Sequence, residues 1–201
     1  MIKLYDFELS GNCHKIRMML SFLDLEYEKI DTDLRRKEQM SPDFIALNPL
    51  HKVPVLVDGD LVLRDSAAIM IYLARKYGRP EWYPDSPREM AEIQQWLSFS
   101  VNEIFNGPAM VRAIVIFNRD FDQDLAHTIT VVVLDQLEFR LQHHEWLALD
   151  RLTLADIACY PYAALINDGN ISLEKFPSIR AWLKRIESLP GYAAMPGLPY
   201  L

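Results

Sequence analysis

The chain has 201 residues, 50% of them hydrophobic, and a formal net charge of -7 from 21 basic and 28 acidic side chains. That is enough apolar material for one large core or two small ones, and the acidic balance argues against a surface built to neutralise nucleic-acid phosphates or anionic lipid. Two cysteines, Cys13 and Cys159, are too few for a disulfide framework or a metal cluster, and no apolar run reaches the ~18 residues of a membrane span.

"IKLYDF" (2–7) reads as a first buried strand, followed by a helix whose apolar residues Ile16, Met19, Leu20 and Leu23 recur at three- and four-residue steps. "YEKIDTD" (27–33) alternates as a second strand, which closes a βαβ unit over residues 2 to 32. A polar stretch, "LRRKEQMSPD", then forms a helix or a loop. In "VPVLVDGDLVLRD" (53–65) two apolar runs flank Asp58-Gly59, a dipeptide suited to the positive φ angles of a hairpin turn. The helix of "SAAIMIYLARKY" (66–77) carries Ile69, Met70, Leu73, Ala74 and Tyr77 on one stripe, and Gly78 is placed to end it in a left-handed conformation.

"RPEWYPDSP" (79–87) holds three prolines, and downstream of it helical patterns replace strand signals. The expected organisation is a first domain at 1–78, a linker at 79–86 and an all-helical domain at 87–201. Acidic charge concentrates in the second part: eleven basic and twelve acidic residues lie up to Gly78, ten and sixteen after it. "PREMAEIQQWLSFSVNEIF" and "DLAHTITVVVLDQLEFRLQHH" are read as long helices, with length outweighing the β-branched "TITVVV". Thr153 and Asp156 in "TLAD" have capping-box spacing, with Leu152 and Ile157 placed as a hydrophobic staple. A last helix presents Ile179, Trp182, Leu183 and Ile186 on one side and stops at Pro190 and Gly191.

A βαβ-α-ββα unit before an all-helical domain, carrying "NPLHKVPVL", "DSAAIMIYL", "TLAD" and "FPSIRAWLKRIESLPGY" in that order, resembles the cytosolic glutathione S-transferase superfamily over nearly the whole chain. The resemblance is to bacterial-type members of theta-, delta- and nu-like pattern. It implies a thioredoxin-like α/β first domain that binds glutathione and a helical second domain that helps enclose a small hydrophobic electrophile. It also implies a homodimer, while the acidic balance, the sparse cysteines and the lack of an apolar span point to no nucleic-acid, metal or membrane partner. The absence of a basic segment followed by an apolar signal core, and the sparse cysteines, point to the cytoplasm.

The resemblance assigns residues to glutathione as follows. Val53-Pro54 matches the family's cis-proline, whose turn exposes the backbone of the preceding residue to pair with the cysteinyl part of the tripeptide. Ser66 can offer its hydroxyl, its amide and the helix dipole to the γ-glutamyl carboxylate, and Asp65 can take the glutamyl ammonium. Asp and Ser at a helix start are equally explained as a plain N-cap. His51 and Lys52 fall near the glycyl carboxylate in related classes, with Gln39 upstream as a further polar contact; a solvated loop is the bland alternative.

A thiol pKa lowered by two units requires about 2.7 kcal/mol of preferential thiolate stabilisation. A hydrogen bond to a charged acceptor contributes about 1.5–3 kcal/mol and a helix N-terminus up to about 2 kcal/mol, so no general base is needed. Ser10 matches the active-site serine of theta- and delta-like enzymes and can donate its hydroxyl to the thiolate, or else caps the helix. Asn12 matches the asparagine in the Thr-Pro-Asn-Gly pattern of nu-like enzymes, in which disulfide reduction is the stronger activity; here serine replaces the threonine and Cys13 the glycine. Ser10 to Cys13 also looks like a Cys-x-x-Cys motif without its first cysteine, but Cys13 shares the stripe of Ile16 and Leu20 and should face the core as an inert thiol. Tyr5 lies within the first strand and reads as core. Phe7, Leu9, Phe105 and Arg112 are candidate electrophile-pocket residues. The reading is therefore a transferase, with glutathione-dependent disulfide or peroxide reduction, or non-catalytic glutathione binding, as alternatives.

Overall fold

The computed structural model describes residues 1–198. Strands β1 (Ile2–Asp6), β2 (Tyr27–Asp31), β3 (Val55–Asp58) and β4 (Leu61–Arg64) form one sheet in the order β2-β1-β3-β4. β1 pairs parallel with β2 and antiparallel with β3, which places it inside the sheet. Helix α1 (Gly11–Phe22) joins β1 to β2; α2 (Pro42–Leu47), capped by Ser41, precedes β3; α3 (Ser66–Lys76) follows β4. Side-chain alternation splits the strands between two cores: Ile2, Leu4 and Leu56 face α1 and α3, whereas Tyr5 and Val55 pack with Phe44 of α2.

The hairpin turn lies one residue later than its dipeptide suggests. Asp58 pairs with Leu61 inside the ladder, so the loop is Gly59-Asp60, with Gly59 at φ 65°. Asp58 stays in the strand because its carboxylate accepts from Tyr72 (2.7 Å), Tyr77 (2.6 Å) and Lys76 (2.9 Å) of the following helix turn. Gly78 is likewise not left-handed among the positive-φ glycines. Its N–H closes α3 onto Leu73 and Ala74, and a Cβ there would stand 2.6 Å from the Ala74 carbonyl oxygen.

The rest of the described chain is helical: α4 (Pro87–Val101), α5 (Met110–Phe117), α6 (Gln123–Leu141), α7 (Leu154–Ala164) and α8 (Pro177–Glu187). "TITVVV" lies within α6, as its length and flanks require. The expected helix through Phe105 ends at Val101 instead; a π-helical turn (Phe105–Ala109) containing Pro108 leads into α5, which lies outside the elements expected from the sequence. Every residue of α7 is buried, and its start carries the capping box of Thr153 and Asp156. α1 packs on α7, so the large core runs without a break from Leu4 through Met19 and Ile157 to Trp182.

Candidate active site

Two helix N-termini meet beside the β3 loop. Ser10 caps α1 from an extended conformation, and its Oγ accepts from the Cys13 amide at 3.3 Å. The Tyr162 phenol, brought by α7, lies against the Ser10 hydroxyl and the Asn12 backbone N–H; burial pushes its pKa up to about 12. The Tyr162 ring covers Gly11 so closely that a Cβ there would stand 2.8 Å from two ring carbons. Arg112, expected to line the electrophile pocket, is buried and ties the loop down by donating to the Leu9 carbonyl and to Asp168, both at 2.8 Å.

At the second helix start, Asp65 sits at φ 75° and accepts from the Ala67 and Ala68 amides at 2.9 and 3.1 Å. A non-glycine residue held at positive φ is strain that a plain cap does not need. The neighbouring Ser66 Oγ lies 3.5 Å from Asn12 Oδ1, a long hydrogen bond that links the two helix starts. With its Oδ1 facing Ser66, Asn12 turns its amide N–H groups away from that contact.

The loop between α2 and β3 is folded by Asn48. Its Nδ2 donates to the Lys52 carbonyl (2.7 Å), its Oδ1 accepts from Leu50 N (3.0 Å), and its carbonyl accepts from His51 N (3.0 Å), with His51 at φ 55°. The Val53-Pro54 peptide is cis, as the resemblance implies.

These elements enclose a cleft of about 440 Å³ lined by Asn12, Lys52, Val53, Pro54, Asp65 and Ser66 together with Asn48, Leu50, Arg64, Ser100, Val101 and Phe105. Of the residues expected to serve glutathione, Ser10, Gln39 and His51 do not line it. Gln39 Oε1 and His51 Nδ1 are instead buried polar atoms without a hydrogen-bond partner. Phe105 is a wall residue as expected, and Lys52 reaches across to it, with its Nζ 5.9 Å from the ring centroid. Phe7 and Leu9 join the small core. Sequence reasoning missed Ser100, Val101 and Tyr162, which reach the site from α4 and α7 and carry no local signal; Asn48 could have been found from "NPLHKVP".

Cys13 is fully buried. Its sulfur accepts from the Phe7 amide at 3.4 Å, and burial, reinforced by Asp6, pushes the thiol up to about 12. Cys159 is buried too, and burial raises its thiol likewise. Burial therefore favours the neutral thiol over the nucleophilic thiolate at both positions. Among the described residues, no cluster of three or more His, Cys, Asp or Glu side chains is placed to hold a metal, and no helix is long and apolar enough to cross a membrane.

A family model described as the glutathione S-transferase N-terminal domain matches residues 1–75, and one described as the C-terminal domain matches residues 108–190. The disulfide-bond oxidoreductase YfcG of Escherichia coli is 33% identical, the match covering 94% of this chain and 92% of that one. A crystal structure of a possible glutathione S-transferase from Rhodopseudomonas palustris superposes with a TM-score of 0.90 at 30% identity, over 98% of this chain and 99% of that one. A glutathione transferase homologue from Drosophila mojavensis, solved with bound glutathione, has a TM-score of 0.86 at 29% identity, covering 95% and 89%.

Proposed function

The chain belongs to the glutathione S-transferase superfamily, and from that premise we propose that its cleft binds glutathione and directs the thiolate at a small electrophile. The observation that carries this reading is the convergence of the α1 and α3 N-termini and the cis Val53-Pro54 turn on one cleft. Helix N-termini favour anions, and an exposed backbone beside a cis-proline suits an extended peptide. On this reading Ser66 and Asp65 take the γ-glutamyl end, Val53 pairs with the cysteinyl backbone, and Lys52 serves the glycyl end, with Gln39 and His51 as further candidates outside the cleft lining. Asn12, in the cleft wall, serves the sulfur, and Ser10, which caps α1 outside the lining, is the second candidate for it. In conjugation the thiolate forms a bond to the electrophilic carbon while the leaving group departs with its electron pair. A cytoplasmic homodimer with residues 1–78 and 87–201 as its two domains belongs to the same proposal.

Disulfide reduction is the second reading, favoured by Asn12 in the cleft lining and by the similarity to a disulfide-bond oxidoreductase. With both protein thiols buried, each sulfur must come from glutathione or substrate. One glutathione thiolate attacks the disulfide and displaces one substrate thiolate; a second attacks the glutathione sulfur of the mixed disulfide, displacing the other substrate thiolate and leaving oxidised glutathione.

The test is turnover of an electrophile panel against mixed disulfides by the wild type, Ser10→Ala and Asn12→Ala. Loss of a hydrogen bond to a thiolate, about 1.5–3 kcal/mol, should lower the affected activity roughly 10- to 150-fold. Absence of glutathione binding by calorimetry would overturn both readings.

A further inference from the structure

Lys15 is fully buried on α1, one turn after Asn12, yet among the described residues it takes part in no ion pair. Its Nζ donates to Ser100 Oγ at 2.9 Å, and that hydroxyl donates onward to the Ala158 carbonyl at 2.8 Å. The ammonium also lies 5.7 Å from the centroid of Tyr162, the ring that covers Gly11 and whose phenol meets Ser10 and the Asn12 backbone N–H. Ser100 is itself a wall residue of the cleft. A methionine would fill this space without the desolvation that a buried ammonium incurs.

The groups packed directly against this ammonium are neutral. From α7 come the Cys159 thiol and the Tyr162 phenol, both held neutral by burial, and from α4 the Ser100 hydroxyl. The carboxylate it senses is Asp65, which lines the cleft. Burial pushes the Lys15 ammonium down to about 8, opposed by the Asp65 carboxylate, so it remains mostly charged at neutral pH. A buried cation with no direct carboxylate partner beside a cleft is a candidate functional group.

We propose that Lys15 is a positioning residue of the sulfur site, whose buried ammonium, fixed by Ser100 behind the cleft wall, holds the bound glutathione sulfur as thiolate without touching it. This rests on the cleft being the glutathione site. Linkage makes the effect mutual: the cation lowers the thiol pKa, and the thiolate raises that of the lysine.

The test compares the wild type, Lys15→Met and Ser100→Ala, titrating the bound thiol by its thiolate ultraviolet absorbance and measuring affinity for S-methylglutathione, which has no thiol. Lys15→Met should raise the bound thiol pKa by about one unit or more, about a tenfold loss of thiolate at fixed pH, with S-methylglutathione affinity kept within about twofold. Ser100→Ala, which strips the ammonium of its acceptor, should shift the pKa in the same direction by less, and it decides the matter if Lys15→Met does not fold. A folded variant that binds S-methylglutathione with an unchanged thiol pKa would overturn the role of Lys15. Failure of the wild type to bind either ligand would instead overturn the glutathione reading.

Discussion

Two buried titratable groups should set opposite pH slopes on stability. His14, fully buried on α1, meets the Ala193 carbonyl at 2.6 Å through Nε2, which must therefore carry the proton. Its Nδ1 has no partner, and the ring packs against Tyr160 and Tyr192, so a second proton would place a charge among aromatics. Burial accordingly lowers the His14 pKa from 6.5 to about 4. Between those values the unfolded chain binds a proton that the fold refuses, so stability falls on acidification. Asp156 runs the other way: burial, opposed by hydrogen bonds from Leu147, Thr153 and Trp182, raises its pKa from 3.8 to about 6. In that window the fold holds a proton that the unfolded chain releases, so stability rises on acidification. From about pH 7 to about pH 5 the linkage relation yields a loss of about 2 kcal/mol through His14 and a gain of about 1 kcal/mol through Asp156. The wild type should therefore change little from these two groups. Urea unfolding of His14→Gln, which keeps an N–H for Ala193, should show a gain relative to the wild type's slope of about 2 kcal/mol over this range, and Asp156→Asn a deficit of about 1 kcal/mol. Differences between variants cancel the surface carboxylates common to all three. Identical pH slopes in the three proteins would refute the reasoning.

Asp156→Ala should be far more costly than Asp156→Asn. It strips partners from the Leu147 and Thr153 amides (both 3.0 Å), the Thr153 hydroxyl (3.4 Å) and Trp182 Nε1 (3.1 Å), so a loss of about 3–5 kcal/mol is expected in denaturant unfolding. Gly11→Ala forces a Cβ against the Tyr162 ring and should cost about 1–3 kcal/mol in stability, with weaker glutathione binding in calorimetry. Arg112→Met leaves the Leu9 carbonyl and the Asp168 carboxylate without that donor; a loss of about 2 kcal/mol and faster amide exchange across residues 9–12 are expected.

Much of the fold was legible because its signals are local. Strand alternation, the helical stripes ending in Trp182 and Ile186, the spacing of Thr153 and Asp156, and the inward position of Cys13 all depend on residues within one or two turns of each other. α5 carries no sequence assignment; it is reached through a π-helical turn that accommodates Pro108 and packs on α6, a geometry set by tertiary contact rather than by a local signal. The turn at Gly59-Asp60 was misplaced by one residue because the Asp58 carboxylate is claimed by side chains 14 to 19 positions away.

The sequence by itself determined which loop and helix starts form the candidate site: "SGNC", "HKVP" and "DS" each carry their turn or cap within a few residues. Tertiary structure alone decided which of them line the cleft. It put Asn12 in the wall and Ser10 beneath Tyr162, made Arg112 a clamp on Leu9 across 103 positions, and set Lys15 against Ser100 across 85. Caps and turns are short-range and leave a local trace, whereas the placement of a charge behind a wall depends on α1, α4 and α7 packing together, and no spacing within one segment encodes it.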